Sequence, residues 1–174
     1  MILNQVIGIE TERLIIRTMS LRFITEVLKN DISAYDHIGV NSNTEWPSSD
    51  IMRALPIFKD QLEKKLPDGY GPWIFIDKAD NTIIGDGGFK GSSNEIGEIE
   101  IGYNIVESKR MLGYGYEAVN ALIEWAFSQE SVKVITAECL RDNMPSINLL
   151  NKVGMTKVRE DEELVYLSLD KSIQ

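Results

Sequence analysis

The sequence predicts a mixed α+β fold on one central sheet, in the order β-α-α-β-β-β-α-β-α-β-β. Three observations predict it: a hairpin-linked run of strands mid-chain, one strand–helix–strand unit after it, and a closing strand pair around an acidic turn. Hairpin-linked strands are antiparallel, whereas the strand–helix–strand unit should be parallel and right-handed, so the sheet is mixed. No repeat, low-complexity segment or linker divides the 174 residues, and 1–174 reads as a single domain able to bury a core without disulfides or metals.

Thr11 to Thr18 is rich in β-branched residues and reads as the first strand. Ser20 then caps a helix carrying Phe23, Ile24, Val27 and Leu28 on one side. Residues 31–48 read as irregular, with Trp46-Pro47 as a break, and a second helix spans Ser49 to Leu66 before Pro67-Asp68-Gly69. Trp73 to Asp77 and Thr82 to Phe89 are strands joined by the turn Lys78 to Asn81. The strand Ile96 to Ile105 follows, then a helix from Gly115 to Gln129 with Val119, Leu122, Ile123 and Ala126 on one face. Val132 to Cys139 is a strand. Asn143 or Asp142 caps a last helix that Gly154 stops, and strands Met155 to Arg159 and Leu164 to Leu169 close the chain.

Composition excludes several classes of function. At 43% apolar and 26% charged residues the chain is that of a globular protein, and no apolar run is long enough for a membrane span. The start lacks the pattern of a secretory signal, and the single cysteine, Cys139, suits a reducing cytoplasm. A net charge of −9 argues against nucleic acid and suits a cationic substrate, although many soluble proteins are acidic for no such reason.

Chemistry concentrates in residues 106–118, where a strand leads through a basic, glycine-bearing loop into a strong helix. Glycines allow close backbone approach, and the first N–H groups of a helix point outward without intrahelical partners. With the helix dipole, such a corner holds a phosphate or pyrophosphate, to which Lys109 and Arg110 could add charge. The Walker loop does not match. Gly113-Tyr114-Gly115-Tyr116-Glu117-Ala118 fits the dinucleotide pattern G-x-G-x-x-A, but a polar run, Glu107 to Arg110, separates it from the strand end. Acyl-CoA is the third reading.

On that reading the chain resembles the GNAT acetyltransferase superfamily, whose signature Arg/Gln-x-x-Gly-x-Gly/Ala is matched by Arg110-Met111-Leu112-Gly113-Tyr114-Gly115. Thr11-Glu12-Arg13-Leu14 with Arg17, Gly102-Tyr103, Asn143-Met144-Pro145-Ser146 and Gly154-Met155 are similar to its RimL-like branch, which modifies amino groups including protein N-termini. The resemblance implies acetyl-CoA as co-substrate, with its pyrophosphate on residues 110–115 and Tyr116. It also implies that the pantetheine arm pairs with Tyr103, Asn104 and Ile105, as an added strand would, and that Asn143 helps hold it. Two departures stand out. Met111 occupies a position often glycine in the family, and Leu150 stands where many members carry a tyrosine acid.

Acetyl transfer needs a neutral amine, a polarised carbonyl and a proton for the departing thiolate. Glu98 and Glu100 share one face of their strand and are candidate proton acceptors through water, or simply a polar face. Ser146 is a candidate donor or a local cap. The backbone around Ile105 is the resemblance's candidate for stabilising the oxyanion. Trp46 and Trp73 fall where RimL-like proteins build the acceptor pocket, or are core. Asn41, Asn43 and Glu45 could recognise an amine. His37 reads as structural, Cys139 as a small buried hydrophobe, and no metal-ligand spacing is visible. The expected activity is N-acetylation of a primary amine by direct attack, the acceptor being a protein N-terminus or a small amine. The alternative is an inactive acyl-CoA-binding module with a regulatory role. The C-terminal edge strand offers a surface for a homodimer.

Overall fold

The computed structural model describes residues 5–173. The chain runs β1 (Gly8–Glu10), β2 (Leu14–Thr18), α1 (Leu21–Leu28), α2 (Ser33–Ile38), α3 (Ser49–Leu62), β3 (Pro72–Asp77), β4 (Thr82–Phe89), β5 (Glu98–Ile105), α4 (Tyr114–Phe127), β6 (Val134–Leu140), α5 (Met144–Lys152), β7 (Thr156–Glu160) and β8 (Leu164–Asp170). These strands form one sheet in the order β1-β2-β3-β4-β5-β6-β8-β7, antiparallel except for the parallel pair β5–β6. The mixed α+β expectation holds.

Strand alternation sorts the side chains onto two faces. Leu14, Ile16 and Thr18 of β2 are register partners of Asp77, Phe75 and Trp73 on β3. That face packs on α4, where Trp73 meets Trp125 edge-on with ring centroids 5.3 Å apart. On the opposite face Arg17, Ile74, Asp86 and Asn104 form one row across β2, β3, β4 and β5. Helices α1 to α3 cover it, with Phe23, Ile24 and Leu55 almost fully buried. The core is thus double-sided, which explains why β3 is buried along its whole length.

Three expectations are corrected. Residues 31–48 contain a helix, α2, closed by Gly39 in the left-handed region; six residues are too few for a helical period to show. A three-residue strand, β1, pairs with β2 ahead of the expected first strand, which itself begins at Leu14 rather than Thr11. Helix α3 stops at Leu62, short of Leu66. Among the described residues no helix is long and apolar enough to cross a membrane.

Candidate active site

The sheet parts at its centre. Strands β5 and β6 pair only over Glu98–Glu100 and Val134–Thr136, while β6 stays paired with β8 out to Leu140. From Ile101 onward β5 therefore keeps β4 on one edge and has no strand on the other. The gap between them opens into a groove of about 460 Å³. Tyr103, Asn104 and Ile105 line one wall, Asn143, Ser146 and Lys152 the other, and Arg110, Met111, Gly113, Gly115 and Tyr116 close its end. An extended ligand with amide groups fits such an edge as an added strand would.

At the closed end, α4 begins without a side-chain cap, on Gly113 at φ +86°. Its first backbone bond runs from the Glu117 N–H to the Gly113 carbonyl at 3.1 Å. The N–H groups from Met111 to Tyr116 have no hydrogen-bond partner among the described residues. A run of free donors at a helix start is an anion cradle. At Gly115 a Cβ would come within 2.8 Å of Leu149, so glycine lets α4 and α5 close on the groove.

Distant residues brace the loop. Glu117, in the first turn of α4, accepts from Thr11 Oγ1 at 2.5 Å, the Arg13 N–H at 2.7 Å and Arg13 Nε at 2.7 Å. Burial pushes the Glu117 carboxyl up, but these bonds outweigh it and hold it below the usual carboxylate range. Arg13 also donates to the Leu112 carbonyl at 2.8 Å and lies over the Tyr114 ring. Lys109 is drawn off to buried Asp77 at 2.8 Å, and the Tyr114 hydroxyl donates to the same carboxylate at 3.0 Å. Leu112, Tyr114 and Lys109 thus shape the loop from outside the groove. Arg110 folds back, its Nε donating to the Ile105 carbonyl at 2.8 Å. Lys152 was not legible as a site residue in the sequence. It lies over the Tyr116 ring at the groove, with no carboxylate partner among the described residues.

Met111 explains one departure from the family signature. It adopts φ +60°, a conformation glycine takes freely and other residues rarely. We expect Met111→Gly to raise stability by about 0.5–1 kcal/mol, the left-handed penalty of roughly 1–2 kcal/mol less glycine's added chain entropy. A thermal melt should then rise by about 1–4 °C; an unchanged or lower midpoint would contradict the strain.

Midway along the groove, the Tyr103 hydroxyl meets Ser146 Oγ at 3.0 Å. Burial pushes the Tyr103 hydroxyl above its ordinary value, against the opposing effect of the Ser146 bond, so it stays protonated. The Asn143 side chain caps α5 by accepting from the Ser146 N–H at 3.3 Å. Cys139, half-buried rather than fully buried, lies beside the same serine, and burial pushes its thiol up.

Across β5, on the face of α1 to α3, lies a carboxylate that the sequence did not flag. Asp86 is 7% exposed and is the register partner of Asn104. Its Oδ2 accepts from Trp46 Nε1 at 2.9 Å. Burial, helped by the charge of Asp50 and opposed by the Trp46 bond, pushes it up to about 6. Trp46 stacks on Phe23 at 6.0 Å, whereas Trp73 is sealed on the other face, donating to the Gly69 carbonyl at 2.8 Å. The two tryptophans do not share a pocket. Glu100 forms an ion pair with Lys90, which also approaches Glu138. Glu98 is half-buried where β5 and β6 are still paired, away from the groove. Glu45 binds the Ser108 N–H at 3.0 Å, Asn43 the Ile83 carbonyl at 3.0 Å, and Asn41 the Asp80 carbonyl at 2.9 Å. His37 meets Glu26 and Arg22. Among the described residues no three His, Cys, Asp or Glu side chains could hold a metal.

The chain and its fold have counterparts among known proteins. The family described as Acetyltransferase (GNAT) domain matches residues 13–156. The chain belongs to the GNAT acetyltransferase family. This acetyltransferase is 40% identical over 147 residues to the uncharacterized N-acetyltransferase YjdG of Bacillus subtilis, covering 84% of this chain and 88% of that protein. Its fold is similar to a ribosomal-protein-S5-alanine acetyltransferase from Vibrio fischeri (TM-score 0.69, 16% identity, 95% and 97% of the two chains). It is also similar to the microcin C7 self-immunity acetyltransferase MccE in complex with acetyl-CoA and AMP (TM-score 0.63, 15% identity, 92% and 93%). Acetyl-CoA is the co-substrate of the acetyltransferase, and the groove fits it: free N–H groups at the closed end suit a pyrophosphate, and the bare edge of β5 suits an amide-bearing arm.

Proposed function

We propose that this acetyltransferase moves an acetyl group to a primary amine by direct attack, in the manner of the RimL-like branch, with an N-terminal α-amine as the first acceptor class and a small polyamine or amino-sugar as the second. The observation that carries the reading is Asp86. A buried carboxylate raised to about 6 stands one strand from Asn104, on the face opposite the α4 and α5 helices. An acid of that strength is mostly ionised near neutrality yet basic enough to take a proton from an ammonium, directly or through water. Free α-amines titrate near pH 8, so they need less help than a lysine side chain at about 10.4.

Bound acetyl-CoA supplies the thioester. The chain's own residues do the rest in this reading. Backbone N–H groups of Met111 to Tyr116, with Arg110 and Lys152, hold the phosphates, and Tyr103, Asn104 and Ile105 align the arm, helped by Asn143. Ser146 gives its proton to the departing sulfur and is resupplied by Tyr103, whose hydroxyl reaches it from β5 at 3.0 Å. That pair takes over the role of the helix tyrosine that Leu150 replaces. Glu100 is the weaker candidate base because Lys90 neutralises it, and Glu98 lies farther still from the groove. Trp46 orients Asp86; Trp73 supports the core rather than the acceptor.

The test is free-thiol release from acetyl-CoA across a panel of peptides with free N-termini, polyamines and amino-sugars. Release with one of these classes, and not with N-blocked peptides, is the expected result. Acetyl-CoA binding without release above background across the panel would favour the inactive binding module.

A further inference from the structure

Arg17 belongs to the same N-terminal motif as Arg13, yet it does nothing for the groove. Its side chain lies on the α1–α2 face of β2, beside a second cavity of about 250 Å³ lined by Arg17, Arg22, Phe23, Glu26, Ile38 and Ile74 among others. This cavity shares no lining residue with the cofactor groove. Strand β2 is three places from β5 in the sheet, about 14 Å at the usual strand spacing.

The Arg17 guanidinium makes one hydrogen bond among the described residues, from Nη2 to the Ile38 carbonyl at 2.8 Å. It has no carboxylate partner among those residues. Burial alone lowers its pKa, in contrast to Arg13, which Glu117 raises. The cavity's carboxylate, Glu26, is already taken by Arg22 Nε at 2.9 Å and His37 Nδ1 at 2.9 Å. One half-buried cation is therefore left over, in a chain whose net charge is −9. Guanidinium forks match carboxylates in geometry, and a desolvated cation gains most from an anion. Phe23, Ile38 and Ile74 give the space apolar walls, and its volume lies below the roughly 300–1,000 Å³ of drug-sized sites.

We propose that this cavity binds a small organic carboxylate, its charge on Arg17 and an apolar body about the size of one ring against Phe23, Ile38 and Ile74. A phosphate fits less well, because one spare cation and apolar walls leave a dianion undercompensated.

The test needs neither acetyl-CoA nor turnover. Benzoate, its neutral isostere benzamide, and inorganic phosphate are titrated into the protein while isoleucine methyl signals are followed by NMR. Benzoate should shift Ile38 and Ile74 saturably, leave Ile105 in the groove unmoved, and bind at least tenfold more tightly than benzamide. Arg17→Gln should weaken benzoate at least tenfold, and Arg17→Lys should fall between. Benzamide binding equal to benzoate, benzoate affinity unchanged in Arg17→Gln, no saturable shift at Ile38 and Ile74, or phosphate binding more tightly there would each overturn the proposal. Should Arg17→Gln fail to fold, the benzoate–benzamide comparison on the native chain decides.

Discussion

Asp86→Asn is expected to lower kcat/KM for the amine by about 10²- to 10⁴-fold, the usual contribution of a positioned base, while the affinity for acetyl-CoA stays the same. The native enzyme should gain activity as pH rises through about 6, because only ionised Asp86 accepts a proton, and the variant should lose that inflection. Stability should move the other way. The folded pKa lies above the unfolded value of 3.8, so the folded chain binds the extra proton between the two. The stabilisation is complete below about pH 3.8 and is lost as pH rises through about 6. At pH 7 the native chain carries the full penalty of a buried charge, roughly 1.4 kcal/mol for each pKa unit. The amide oxygen of the substituted side chain can still accept from Trp46 without that charge, so urea melts at pH 7 should show the variant more stable, on the order of 2 kcal/mol. A purely structural Asp86 would shift the melt but leave the rate and its pH profile untouched.

Gly113→Val should abolish measurable acetyl-CoA binding while the fold survives. Gly113 stands at φ +86°, where a β-branched residue is strongly strained, and its Cβ would lie 3.1 Å from Arg13 Nη2. Relief of that strain must rotate the peptides on either side, which carry the free N–H groups of the loop. Losing two hydrogen bonds to a charged group, each about 1.5–3 kcal/mol, corresponds to roughly a 10²- to 10⁴-fold loss of affinity. Calorimetry with coenzyme A reads it, and far-UV circular dichroism checks the fold. Normal affinity in the variant would remove the pyrophosphate from this loop.

What was legible in the sequence was what is local. The loop from Arg110 to Gly115 declares itself by spacing, and the strand and helix on either side by period, so the fold class and the identity of the acyl donor followed from short stretches. What was hidden depends on partners far apart in the chain. Glu117 and Arg13 meet across 104 positions, so nothing nearby says that the Thr11–Leu14 motif exists to brace α4. Asp86 sits in Gly85-Asp86-Gly87-Gly88, which resembles a turn more than the centre of a buried strand. Its one outward sign was a lone charge in a strand flanked by hairpin partners. Trp46 and Trp73 are the same residue type, but one sits in the connection between α2 and α3 and the other on β3, and only the tertiary packing puts them on opposite faces of the sheet. Lys109 and Arg110 looked interchangeable as phosphate ligands until Asp77 claimed the first.

The parting of β5 from β6 also bears on cohesion. Among the described residues, three residue pairs, Glu98–Glu100 against Val134–Thr136, and the Gly97 carbonyl just ahead of them, which accepts from the Lys133 and Val134 N–H groups, form the backbone seam between β1–β5 and the trio β6, β8 and β7. Elsewhere along that line the halves are joined by the packing of α4 and α5, without a backbone ladder. On the proposed placement, an acyl donor along the bare edge of β5 would be a structural member as well as a reagent, extending the seam in the place of an interior strand. Occupancy should tie the two halves into one cooperative unit, and the enzyme at work is the better-knit molecule.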